Sequence, residues 1–233
     1  MPTDRFDSNF VLPEFKLAVF CIPKNAATSM KAAFLDALGE KYVMKDVPLP
    51  DGGTEEVPAG VPNHPRLPRI TADEIWSKSP NFRKVMIYRN PWDRLLSCWA
   101  QKVVKRMGAD EFRGFDRFGI TAETTFKRFV EIVAGVPDEQ SNIHFASQTH
   151  LTQFAEFAAS PGKLMLMCFE TVSYDWQYLQ SWLKAGLPSL SLPPMARWTV
   201  SAHPHYSEMY DTETRKLAAQ RYAADVQEFD YSF

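Results

Sequence analysis

Residues 16 to 38 read Lys-Leu-Ala-Val-Phe-Cys-Ile, then Pro23-Lys24-Asn25-Ala26-Ala27-Thr28-Ser29, then Met-Lys-Ala-Ala-Phe-Leu-Asp-Ala-Leu. An apolar, β-favouring run leads through a short loop of small residues into a run of good helix formers, the pattern of a strand, a turn and a helix N-terminus. The first turn of a helix has amide N–H groups without internal partners and carries the positive end of the macrodipole, so an anion can settle there. Lys24 adds a mobile positive charge, and Thr28 and Ser29 add hydroxyl donors. Taken alone, the stretch is equally a simple capped helix.

A second junction of the same kind lies downstream. Lys84 to Arg89 form an apolar run fit for the centre of a parallel sheet. It enters Asn90-Pro91-Trp92-Asp93, with Asn90 a natural N-cap and Pro91 suited to the first helical position. Arg89 thus stands at a strand end beside a helix start, and Ser97 lies on the inner face of that helix, which is expected to continue to residue 106. Ligands of open α/β sheets collect at the carboxyl ends of the strands, so two such junctions imply a ligand with two separated phosphate-like groups.

Between and beyond these junctions, Pro48, Pro50, Gly52, Gly53, Pro58, Gly60, Pro62, Pro65 and Pro68 forbid regular structure over most of residues 43 to 69. Thr71 to Glu74 reads as a capping box opening a short helix through Trp76. Residues 108 to 119 read as a polar loop, and an amphipathic helix is expected from Thr121. Residues 135 to 150 read as irregular, and 164 to 169 as a third buried strand. A helix over 174 to 185 is expected to end at Gly186 in a C′ position, and a last helix to run from about Thr212 to Phe229. Strands alternating with helices predict an α/β three-layer sandwich with a central parallel sheet, as one domain over residues 1–233.

Composition sets the outer bounds. Hydrophobic residues make up 45% and charged residues 23% of the 233, ordinary globular values, so disorder is excluded. A net charge of −2 argues against a general nucleic-acid binder. Cys21, Cys98 and Cys168 lie far apart in apolar runs, as buried thiols of a reducing compartment do. No window approaches the roughly 20 apolar residues of a membrane span, which points to a cytoplasmic protein without a membrane anchor. No acidic cluster suggests a metal site; His203-Pro204-His205 is a pair without a third ligand.

Residues 23 to 29 resemble the 5′-phosphosulfate loop of sulfotransferases, and Arg89-Asn90-Pro91-Trp92-Asp93-Arg94-Leu95-Leu96-Ser97 resembles their 3′-phosphate motif. Residues 142 to 148 and the segment from Tyr210 through Tyr222, Asp225, Phe229 and Tyr231 are similar to the carbohydrate (family 2) branch. The resemblance implies a P-loop-kinase-like fold, the donor 3′-phosphoadenosine-5′-phosphosulfate, and sulfuryl transfer to a hydroxyl or amine, with a carbohydrate or glycoconjugate as acceptor partner. Lys24 then stabilises charge on the leaving oxygen. Asn25, Ala26, Ala27, Thr28 and Ser29 hold the 5′ end, and Arg89 and Ser97 hold the 3′-phosphate. The general base is sought first at His64, between the two motifs, next at His144 beside Gln148 on the substrate side, and then at His203 and His205. Trp92, Trp99, Trp176 and Trp198 suit sugar stacking or an ordinary core. Two alternatives stay open: a P-loop kinase or NTPase, although G-x-x-x-x-G-K-[ST] is absent, and a non-catalytic nucleotide-binding module.

Overall fold

A computed structural model describes residues 8–48, 52–105, 114–158, 164–198 and 203–233. Its strands, in chain order, are β1 (Asn9–Leu12), β2 (Leu17–Phe20), β3 (Lys45–Pro48), β4 (Thr54–Val57), β5 (Arg69–Ile70), β6 (Arg83–Tyr88) and β7 (Leu164–Cys168). Five of them form one sheet in the order β5-β1-β2-β6-β7, while β3 and β4 pair as a separate hairpin. The core of the sheet is parallel, β2 to β6 to β7, with Val19 opposite Val85 and Val85 opposite Met165. β1 runs antiparallel to β2, and β5 antiparallel to β1.

Side chains alternate across each strand, so the sheet has two apolar faces. Leu17, Val19, Val85, Ile87, Met165 and Met167 point to the side covered by α1 (Ala27–Ala37) and α7 (Val172–Gly186). Ala18, Phe20 and Met86 point to the other side, covered by α2 (Ala72–Lys78), α5 (Gln148–Thr152) and α6 (Ala155–Ala158). The result is the expected three-layer α/β sandwich. A further apolar cluster joins α3 (Pro91–Trp99), α4 (Phe126–Ala134) and α9 (Thr212–Arg221) around Phe129, Phe145 and Tyr222. Two short helices, α8 (Tyr206–Met209) and α10 (Ala223–Glu228), flank α9.

Several expected boundaries differ, each for a local reason. The proline- and glycine-rich stretch carries the β3–β4 hairpin, a 3-10 turn at Val61–Asn63 and β5, because its prolines fall at strand ends and turns. The helix expected from Thr121 starts at Phe126: Thr124 turns back to accept the Thr121 N–H (2.7 Å), and Thr125 is the N-cap. α7 includes Gly186, which is helical and not a C′ residue. The Arg83 guanidinium lies over it where a Cβ would stand. The terminal helix breaks at Tyr222 into α9 and α10, where the Tyr222 hydroxyl donates to the Phe145 carbonyl (2.7 Å) inside the core. Beyond Trp99 the third helix widens into a π-helical turn over Ala100–Lys105. Residue 106 and the first part of the polar loop, through residue 113, lie outside the described residues. Cys21 and Cys98 are buried thiols, and Cys168 is partly exposed.

Candidate active site

Because β2 and β6 are neighbours and parallel, with Phe20 opposite Met86, their carboxyl ends deliver the two expected junctions side by side. The first is tightly wound. Lys24 and Ala26 adopt left-handed backbone (φ 74° and 56°), and the Asn25 N–H donates to the Ile22 carbonyl (3.2 Å). Ala26 is the N-cap of α1 and supplies no side-chain acceptor, so the opening amides of α1 gain nothing from the cap that serine or aspartate provides. At the second junction the Asn90 side chain does cap α3, accepting from the Trp92 and Asp93 N–H groups (3.0 and 3.3 Å).

Arg89 connects the two. It is 7% exposed, donates from Nη1 to the Lys24 carbonyl (2.6 Å) and pairs with Asp93 (2.7 Å), and its guanidinium lies 4.0 Å from the centre of the Phe169 ring. Asp93 is thus an ion-pair residue. Arg94, fully buried, is held instead by carbonyls, those of Pro23 (3.2 Å) and Ala146 (2.8 Å), so it fixes the loop from beneath.

Lys24, Ala26, Ala27, Thr28, Ser29, Arg89, Ser97 and His144 all line one cleft of about 690 Å³. Other residues singled out in the sequence do not. Asn25 and Gln148 are buried behind it (1% and 0% exposed) and bonded to each other (2.6 Å). Gln148 also accepts from the Arg89 N–H and donates to the Arg89 carbonyl, both at 2.9 Å, so it clamps the two loops together. Asp225 receives the Gln148 and Thr149 amides (2.9 Å each) and anchors that clamp to α10. His64 lies outside the cleft lining, with Nε2 on the Lys41 carbonyl (3.1 Å) and Nδ1 taking the Arg66 N–H (3.2 Å). His203 reaches the cleft, whereas the His205 ring accepts the Ser207 N–H at the start of α8. Of the four tryptophans, Trp198 lines the cleft. Trp92, Trp99 and Trp176 spend their indole N–H groups on the carbonyls of Arg215, Thr124 and Pro193 and pack inside.

His144 lines the cleft with a defined tautomer. Its Nδ1 and its backbone N–H both meet the Asn142 side-chain oxygen (2.7 and 3.0 Å), which makes Nδ1 the protonated nitrogen and leaves the lone pair on Nε2. Burial, and then the positive charges of Lys102, Lys24 and Arg94, hold its pKa well below the ordinary imidazole value, so the ring is neutral at physiological pH. Sequence reasoning did not single out Gln101, Lys102 or Lys45. The π-helical turn brings Gln101 and Lys102 to the cleft, and the Lys24 ammonium donates to Gln101 Oε1. A run of helix formers carries no sign of the extra residue per turn, so that placement was not legible. Lys24, Lys45, Arg89, Lys102 and Arg197 against Asp93 make the cleft strongly positive in a chain of net charge −2.

Among the described residues, no helix is long and apolar enough to cross a membrane. No curated protein and no solved structure gives a significant match to the chain. A family model does: the family-2 model, described as Sulfotransferase family, matches residues 7–232. With that match over nearly the whole length, and with two neighbouring strand ends converging on one positive cleft of an α/β sandwich, the chain belongs to the sulfotransferase family.

Proposed function

We propose that this protein, acting as one domain in the cytoplasm, transfers the sulfuryl group of 3′-phosphoadenosine-5′-phosphosulfate to a hydroxyl acceptor. The reading rests on one observation above all: Lys24, Ala26 to Ser29, and Arg89 with Ser97 face a single positive cleft from neighbouring strand ends. The donor fits the chemistry of those residues. The α1 amides, Thr28 and Ser29 suit its 5′ end, while Arg89 and Ser97 suit its 3′-phosphate. Phe169 and Val172, beside Arg89, offer an apolar seat for a purine. When bound, the donor supplies an activated sulfur whose bond to the 5′-phosphate oxygen breaks as one to the acceptor oxygen forms.

The protein contributes position and charge, as in other group transfers through loose transition states. Lys24 faces the oxygen that gains charge. Its ammonium rests on Gln101 in the structure, and a four-carbon stem lets it turn toward an anion. His144 Nε2 takes the proton of the acceptor hydroxyl and ends as an imidazolium hydrogen-bonded to Asn142. His64 is the weaker choice, since its acceptor nitrogen already receives the Arg66 N–H. Resemblance to the carbohydrate branch makes a sugar hydroxyl the first acceptor to test. The decisive assay follows labelled donor. Arg89→Ala should raise donor KM at least tenfold, because it removes a charge-assisted contact; unchanged donor KM sinks the 3′-phosphate assignment.

A further inference from the structure

The β3–β4 hairpin roofs the cleft with a two-faced sheet. Directly opposed residues share a face, so the register Lys45 to Val57 and Val47 to Glu55 puts these four on one side. Lys45, Val47 and Val57 line the cleft, and Glu55 is neutralised by Lys105 (3.0 Å) of the π-helical turn. Asp46, Glu56 and Thr54 occupy the other face and are exposed. The Lys105–Glu55 pair ties the hairpin to the turn that carries Gln101, the partner of Lys24. The roof therefore sits on the side of the cleft that carries Gln101 and the Lys24 ammonium.

Beside Lys45, three polar groups near this wall are already engaged. The Ser8 hydroxyl and the Pro62 carbonyl accept from Lys31 Nζ (3.3 and 3.4 Å), and the Pro58 carbonyl takes the Val61 N–H (3.3 Å). Ala59 and Ile143 complete an aliphatic lining. A free saccharide needs amides, carboxylates or an aromatic platform for its many hydroxyls and its C–H faces. Trp198, the tryptophan in the cleft, is bonded through its backbone N–H to Ser29 (3.1 Å) and packs against the same core cluster as Phe169 and Val172.

We infer that the acceptor is an alcohol whose hydroxyl is carried on an apolar skeleton, seated against Val47, Val57 and Pro58 under the hairpin. A glycoconjugate qualifies through its apolar aglycone; a free oligosaccharide does not. The inference rests on the proposed donor reading. In the transfer, the alcohol O–H gives its proton to His144 Nε2, the oxygen bonds to sulfur, and the sulfur–phosphate oxygen bond breaks to release the nucleoside bisphosphate.

The full chain is assayed with labelled donor against 1-octanol, 2-naphthol and octyl glucoside, and in parallel against lactose and cellotetraose. The apolar alcohols should be turned over with kcat/KM at least tenfold above the free saccharides. Val47→Ser should raise acceptor KM five- to tenfold with donor KM unchanged, while Glu56→Gln on the outer face changes neither. A free saccharide as best acceptor overturns the inference. So does an unaltered acceptor KM in Val47→Ser, or no turnover of any apolar alcohol by protein that adenosine 3′,5′-bisphosphate stabilises. Absence of that stabilisation overturns the donor reading itself, which separates the two failures.

Discussion

Lys24 carries the largest share of the proposed chemistry, and its role has a kinetic signature. A charge that acts mainly on the departing oxygen is worth more in the transition state than in the ground state. Lys24→Ala should lower kcat by about 10²- to 10³-fold, the loss typical of one preorganised stabilising group, while the bisphosphate Kd changes by less than about tenfold. A loss of affinity as large as the loss in kcat, read by calorimetry beside the kinetics, reduces Lys24 to a binding charge. His144 makes a prediction about pH. Its pKa is depressed, so the ring stays a base as pH falls through the ordinary histidine range and is lost only below it. The kcat/KM profile of the free enzyme should therefore stay flat through pH 6.5 on its acid side; a limb centred at or above that pH assigns the base elsewhere. Ala26 pays for the loop's shape, since a Cβ at φ 56° is strained. Ala26→Gly should stabilise the fold by roughly 0.5–1 kcal/mol, seen as a small rise in Tm. Types and order of these residues were readable, because Lys24, Thr28 and Ser29 must follow a strand. The hydrogen bonds that divide cleft residues from supporting ones were not: Asn25 and Gln148 look like ligands in sequence and turn inward in three dimensions.

Two elements decide how the residues meet. The Gln148 side chain at the start of α5 bonds Asn25 on one loop and both backbone polar groups of Arg89 on the other. Gln148→Ala leaves these buried groups unsatisfied at about 1–3 kcal/mol each. It should lower Tm by several degrees and raise donor KM more than acceptor KM, although Gln148 is fully buried; equal effects on both substrates make the clamp merely structural. The π-helical turn is the other element, supplying Gln101 to Lys24 and Lys105 to the hairpin. Elements with strong periodic or capping signals were legible: β2 and β6 by buried apolar runs, α2 by its capping box, and α3 by Asn90 and Pro91. The run at 164 to 169 does form strand β7, but as the sheet's edge with Leu166 exposed and not as the buried strand expected. Weak-signal elements were not. β1 has four residues and takes its definition from pairing to β2, and the hairpin hides among prolines.

For the whole molecule, the charge distribution matters more than the total. A chain of net charge −2 gathers Lys24, Lys45, Arg89, Lys102 and Arg197 around one cleft, which fits a small polyanion better than an extended one. That concentration separates the donor proposal from an ATP-dependent reading, because a nucleotide with phosphates at both the 3′ and 5′ positions can reach both strand ends at once. Ligand that binds the native state alone raises Tm by mass action. The most direct test is a thermal unfolding series of the full chain with adenosine 3′,5′-bisphosphate and, separately, with ATP and Mg²⁺. At a hundredfold excess over Kd the bisphosphate should stabilise the fold by about 2.7 kcal/mol, several degrees, with ATP far behind. Equal shifts from the two nucleotides, or none from either, contradict the two-phosphate cleft.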